Sequence, residues 1–126
     1  MKMTQLTNTV LMIRPYNFGY NNETAVDNAY QKEDTQLSYE EIAKKAQIEF
    51  DDFVTLLRKN NINVIQFDDN LNQKTPDSLF PNNWISTHRD GRVFLYPMFA
   101  VNRRLERRTD ILTYLKNNFY IDNIFD

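Results

Sequence analysis

The chain has 126 residues, 41% of them hydrophobic and 13% aromatic, which suits one small globular domain and argues against disorder. Its net charge of −2 supplies no basic field to attract nucleic acid. Cysteine is absent, which excludes disulfides, thiolate metal sites and a cysteine nucleophile; no metal or cofactor motif stands in for them, so none is expected.

The apolar run Val10 to Ile13 ends at Arg14-Pro15, too short for the core of a signal peptide. Nothing approaches the roughly 20 apolar residues of a membrane span. A cytoplasmic location without membrane contact is the expectation. Thr9 to Arg14 reads as a strand whose continuous apolar centre predicts burial on both faces. Tyr16 to Gln36 follows as a long polar segment containing Gly19 and Asn21-Asn22. It reads either as a functional lid or as a surface helical turn around Glu23 to Tyr30.

Ser38-Tyr39-Glu40-Glu41 is a capping box: the Ser38 hydroxyl can accept from the Glu41 N–H while the Glu41 carboxylate reaches back. Tyr39, Ile42, Ala43, Ala46, Phe50, Phe53, Val54 and Leu57 then recur at helical spacing, a core stripe. Asn60-Asn61 should end the helix, because Asn tolerates the left-handed cap. Ile62 to Phe67 reads as a second strand and Asp68 to Asp77 as a polar connection in which Asp77 caps a loop.

Phe80 to Met98 reads as a β-hairpin around Asp90-Gly91, a two-residue turn that would pair His88 with Val93, Ser86 with Leu95 and Ile85 with Tyr96. Pro81 and Pro97 bound it. Its first strand opens on two amides, Asn82 and Asn83, beside the single tryptophan, Trp84. Asn is depleted in strands, so these residues form either a turn or a polar strand end that presents amides to a ligand. Asn102 to Asn118 reads as a second helix with a gap in its apolar stripe at Arg108, and Tyr120 to Phe125 as a last strand. The arginines 103, 104, 107 and 108 fit a solvated face paired with Glu106 and Asp110. Crowded near a helix N-terminus, where the dipole disfavours cations, they also suggest an anionic partner. RNA is a poor match, since no glycine-aromatic motif accompanies them. His88, the lone histidine, reads as structural, and Trp84 as core or as a pocket wall.

Leu57-Arg58-Lys59-Asn60-Asn61 before a strand ending Phe67-Asp68 is echoed by Leu115-Lys116-Asn117-Asn118 before one ending Phe125-Asp126. The offset of about 58 residues is that of a repeated strand, helix and strand unit.

Phe80-Pro81-Asn82-Asn83-Trp84-Ile85-Ser86, Asp90-Gly91, Leu95-Tyr96-Pro97-Met98 and Asn102-Arg103-Arg104-Leu105-Glu106-Arg107-Arg108, with Thr9 to Pro15 and Asn17-Phe18-Gly19, resemble the citrulline-hydrolase branch of the guanidino-group-modifying enzymes. These are relatives of arginine deiminase, dimethylarginine dimethylaminohydrolase and the amidinotransferases. The resemblance implies an α/β fold, part of a five-bladed propeller of the pentein type. Residues 1–126 would form a single incomplete domain, with a first blade over about residues 1–77 and most of a second over about 78–126. It implies that the chain is the N-terminal, substrate-pocket portion of a hydrolase of the ureido or guanidino C–N bond. Such a portion would be inactive alone, whether it is a fragment, a truncated product or half of a split enzyme, because it has neither the nucleophilic cysteine nor the catalytic histidine, which the family pattern puts in a later blade.

The relatives that act on guanidines carry an acidic pair where Asn82 and Asn83 stand. A carboxylate suits a cationic guanidinium, whereas an amide, with one acceptor and two donors, suits a neutral ureido group. The resemblance therefore implies a citrulline-like ligand contacted by Asn83, supported by Asn82, walled by Trp84 and approached by Arg103 and Arg104. Asn28 and Gln31 match the family pattern without an assigned contact. The expected partners are a small amino-acid substrate and either a C-terminal partner chain or a homo-oligomer. A non-catalytic binding or assembly module that kept the fold is the alternative.

Overall fold

The computed structural model describes residues 6–33 and 36–126; residues 34 and 35 of the long polar segment lie outside them. The chain begins with strand β1 (Thr9–Arg14) and returns, through helix α2 (Tyr39–Lys59), to strand β2 (Asn63–Asp68), which pairs with β1 in parallel from Thr9↔Asn63 to Arg14↔Asp68. A short helix, α1 (Asn22–Ala25), occupies the polar segment between β1 and α2, so that segment holds a helical turn shorter than expected. Side chains alternate across a strand, and β1 uses both faces. Val10 and Met12 pack with Phe50, Val54 and Val64 beneath α2, while Leu11 and Ile13 join Trp84, Ile85, Val93, Met98, Ile111 and Leu115. Most of β1 is only half-buried, because the sheet is two strands wide and open at its edges; Ile13 alone is fully enclosed.

Helix α2 starts and stops where the residue types dictate. Ser38 Oγ accepts from the Glu41 N–H at 3.2 Å, and the Glu41 carboxylate accepts from the Ser38 N–H at 2.7 Å. At the other end Asn61 adopts φ 62°, the Ile62 N–H reaches the Leu57 carbonyl at 3.0 Å and the Asn61 N–H the Arg58 carbonyl at 3.1 Å. That is a Schellman closure, with Ile62 and Leu57 packed in one cluster. Arg14 forks onto Asp51 at 2.8 and 2.9 Å and ties β1 to the helix.

The second unit repeats the plan. Strand β4 (Arg92–Leu95), helix α3 (Thr109–Asn118) and strand β5 (Asn123–Phe125) form another parallel pair, with strand β3 (Ile85–Thr87) antiparallel on the far side of β4. The sheets are separate, one of two strands and one of three, and no closed ring of strands forms among the described residues.

Two expectations are corrected. The hairpin register is Ile85↔Leu95, Ser86↔Phe94 and Thr87↔Val93, one residue away from the two-residue turn. The loop is longer: the Gly91 N–H reaches the His88 carbonyl at 3.0 Å, the His88 N–H reaches the Arg92 carbonyl at 2.9 Å, and Gly91 sits at φ 86°. A turn followed by one left-handed residue is the three-residue alternative for an Asp-Gly hairpin. It turns Val93 inward, where 1% of its surface is exposed. The second helix is also not continuous. A 3-10 turn spans Asn102–Glu106, Arg107 and Arg108 are extended (ψ 95° and 124°), and α3 begins at Thr109. The gap in the apolar stripe at Arg108 marks this break. Burial of Glu106 and Ile111 puts inward side chains on either side of it.

Candidate functional site

Asn82 and Asn83 do not open a strand. They lie in a 3-10 turn, Pro81–Asn83, in which the Asn83 N–H reaches the Phe80 carbonyl at 3.2 Å and the Trp84 N–H the Pro81 carbonyl at 3.0 Å. Proline at the first position fits, since its missing N–H would have no partner there. Both asparagines are exposed, and Trp84, next in the chain, is completely buried in the main core.

Asn83 is fixed from behind. Arg103 Nη1 donates to Asn83 Oδ1 at 3.0 Å, which directs the Asn83 amide N–H groups away from Arg103. Arg103 is itself anchored: Nε and Nη2 fork onto the two Glu106 oxygens at 3.0 Å each, and Nη2 also reaches the carbonyls of Phe80 at 3.3 Å and Asp77 at 3.4 Å. Only 13% of the Arg103 side chain is exposed, so it is no solvated face. Desolvation pushes the Glu106 carboxyl above its usual range, against the pull of Arg103.

Behind Arg103 the polar network continues. The Asp77 carboxylate lies 3.9 Å from Arg103 Nε and accepts from Asn21 Nδ2 at 2.7 Å and Thr24 Oγ1 at 3.3 Å. It therefore joins distant segments, where a loop cap was expected. Asn21 and Asn102 exchange side-chain amide bonds at 3.2 and 2.8 Å, and Gln31 Nε2 donates to the Asn21 carbonyl at 2.8 Å. Asn28, by contrast, is exposed and accepts from the Tyr30 N–H. Every buried member has a partner of opposite polarity, as buried polar groups require.

Trp84 and Arg104 lie elsewhere. They line an open groove of about 510 Å³ with Arg107, Thr109, Asp126 and the apolar Leu95. Arg104 donates to the carbonyls of Met98 at 3.0 Å and Phe99 at 3.4 Å, and Arg107 pairs with Asp126. Arg108 forks onto Asp110 at 3.0 and 2.6 Å. Neither Asn82, Asn83 nor Arg103 lines this groove or the much smaller one, about 10 Å³, beside Asp69 and Glu106. The expected arginine cluster is thus divided, each guanidinium answered by carboxylates or carbonyls of the chain itself. No group of three or more His, Asp or Glu side chains converges as metal ligands would among the described residues.

A family model described as eukaryotic N,N dimethylarginine dimethylhydrolase matches residues 14–126, which include every residue of these clusters. The chain belongs to the dimethylarginine dimethylhydrolase family. No curated protein and no solved structure matches it. Membership of this family of hydrolases agrees with the guanidino-modifying resemblance and with the mixed helix and strand content.

In this dimethylarginine dimethylhydrolase homologue the residues whose place in the network sequence reasoning missed are Asn21, Asp77 and Asn102, whereas the expected pairing of the arginine cluster with Glu106 and Asp110 is found on Arg103 and Arg108. Asn21 and Asn102 stand 81 positions apart, beyond the reach of any local pattern. The spacing of Arg103 and Glu106, one helical turn, was the available signal for their ion pair. His88 touches Ser86 Oγ at 3.1 Å and lies edge-on to Phe94, away from this network. No described helix is long and apolar enough to cross a membrane.

Proposed function

We propose that this chain supplies the substrate-recognition part of a hydrolase acting on the ureido or guanidino C–N bond of a citrulline- or arginine-like amino acid. We propose further that it prefers the neutral ureido group and is inactive alone. The observation that carries the reading is the orientation of Asn83. With Oδ1 held by Arg103, the amide presents N–H donors outward, where they suit a ureido oxygen and disfavour a cationic guanidinium. Asn82 flanks that contact on the same turn, and Trp84, which follows the turn, anchors the chain there in the core with Ile13, Val93 and Ile111. Arg103 acts as the positioning residue, and Arg104 lies on the side facing the groove. The family's name, with its dimethylarginine substrate, supports the chemical class. The 126 residues hold no cysteine thiolate to attack the central carbon, so turnover needs a nucleophile from a partner chain or from further sequence. The propeller with blades over residues 1–77 and 78–126 belongs to the same proposal; the two parallel strand-helix-strand units support it.

Calorimetric titration tests this. Citrulline should bind more tightly than arginine, and Asn83→Asp should reverse the preference by at least about tenfold, the worth of one good polar contact. An unchanged preference overturns the role of the amide; citrulline hydrolysis by the isolated chain overturns its inactivity. The assembly-module reading draws on exposed apolar side chains such as Phe99 (80% exposed) and Tyr120 (75%). A defined homo-oligomer with no affinity for citrulline or arginine would favour it.

A further inference from the structure

Two residues that line the groove hold buried donors without an acceptor in the fold. Trp84 is 0% exposed, yet its Nε1–H has no acceptor. The Arg107 Nε–H is buried and equally without one. Buried N–H groups are almost always paired, and leaving one unpaired costs about 1–3 kcal/mol. Both residues line the same groove. Helix α3 starts at its edge with Thr109, and its own first-turn carboxylate, Asp110, answers the positive end of that helix and Arg108. The Arg104 guanidinium is held on the Met98 and Phe99 carbonyls at the same groove. Leu95, Met98 and Leu112 supply apolar walls.

An anion already samples this groove. The Asp126 carboxylate lies on Arg107 Nη2, its side chain 66% exposed, and so reaches in from solvent. The groove volume of about 510 Å³ falls within the span typical of small-molecule sites, roughly 300–1,000 Å³.

We propose that this groove binds a small carboxylate borne on a short aliphatic chain, with the carboxylate displacing Asp126 from Arg107 and accepting from the Trp84 indole N–H. The groove shares Trp84 and Arg104, but not Asn83, Arg103 or Glu106, with the proposed recognition residues, so its test reads butyrate at the indole and leaves citrulline binding to the titration above.

The single tryptophan makes the test direct, because the ¹⁵N-labelled chain gives one indole cross-peak. Sodium butyrate is titrated against butylammonium chloride and sodium chloride at matched ionic strength. Butyrate should move the indole proton downfield and saturate; the other two salts should not. Asp126→Asn, a change at an exposed side chain, removes the internal competitor and should tighten butyrate binding about tenfold. Arg107→Gln should abolish the response while the rest of the spectrum stays native. An indole peak unmoved by butyrate in both the wild type and Asp126→Asn overturns the proposal. So does an equal shift with chloride, or a shift induced only by an acidic peptide, which would mark a docking surface for polypeptide.

Discussion

Replacing Asn21 by alanine should cost more than any other single amide in this chain. The side chain is 2% exposed and uses its full hydrogen-bonding capacity: it donates to Asp77 at 2.7 Å and to Asn102 at 3.2 Å, and accepts from the Glu23 N–H at 3.1 Å and from Asn102 at 2.8 Å. A hydrogen bond to a charged group contributes about 1.5–3 kcal/mol. Loss of the cap on α1 adds roughly 0.5–2 kcal/mol. Thr24 and Arg103 still face the Asp77 carboxylate, which limits the penalty for the group left behind. The total is about 2–5 kcal/mol, a large share of the roughly 5–15 kcal/mol that holds a domain folded. Urea titration followed by Trp84 fluorescence measures it; the midpoint should fall with little change in slope. Asn21→Asp provides the second arm. It sets a carboxylate against Asp77, so it should be at least as damaging at pH 7 and partly recover at acidic pH as the pair takes up a proton. A loss below about 1 kcal/mol for Asn21→Ala would mean that water replaces the amide and that the network does not bind the two halves together.

Other perturbations test other joints. Gly91→Ala would place a Cβ 2.9 Å from the Asp122 backbone nitrogen and 2.8 Å from the Tyr120 ring, at φ 86°. It should cost more than about 1 kcal/mol and shift the β5 amide resonances; a neutral result would refute the left-handed turn. Asn61→Gly should be neutral or stabilising and Asn61→Ala should cost about 1 kcal/mol, measured by thermal unfolding. Equal effects of the two would refute the left-handed cap. Glu106→Gln tests burial. The folded-state pKa of Glu106 is raised, so the native chain holds that proton longer than the unfolded chain does. Wild-type stability relative to Glu106→Gln should therefore be highest below the ordinary carboxylate pKa, about 4.3, and fall as pH rises through the elevated value. Urea midpoints from pH 4 to 7 that keep a constant gap would refute it.

What the sequence made legible was local. The capping box at Ser38, the stop at Asn61 and the strand Thr9–Arg14 each follow from neighbours within a few residues, and each stands where those residues put it. The hairpin was legible as a hairpin but not in register, because Asp-Gly serves two loop lengths and only the inward demand of Val93 selects between them. The break at Arg107 and Arg108 left one trace, the gap in the apolar stripe at Arg108, among residues that otherwise propagate a helix well; the enclosed Glu106 and Arg103 pair, a tertiary fact, accompanies it. For the candidate site, Asn83 and Arg103 were visible as unusual residues. Their direct bond and its backing by Asp77, Asn21 and Asn102 depend on separations of 20 to 81 positions that no periodicity encodes.

The cluster beneath α2 also bears on synthesis. Phe50, Val54 and Val64, with Val10, Met12, Leu57 and Ile62, all lie before the end of β2 at Asp68; Leu79 is added later. A ribosome that has released the chain through Asp68 has already delivered both parallel strands, their connecting helix and nearly all of the apolar surface that joins them. That portion can collapse during translation, before the Asn83 turn exists. The recognition turn would then be laid down against a support already in place.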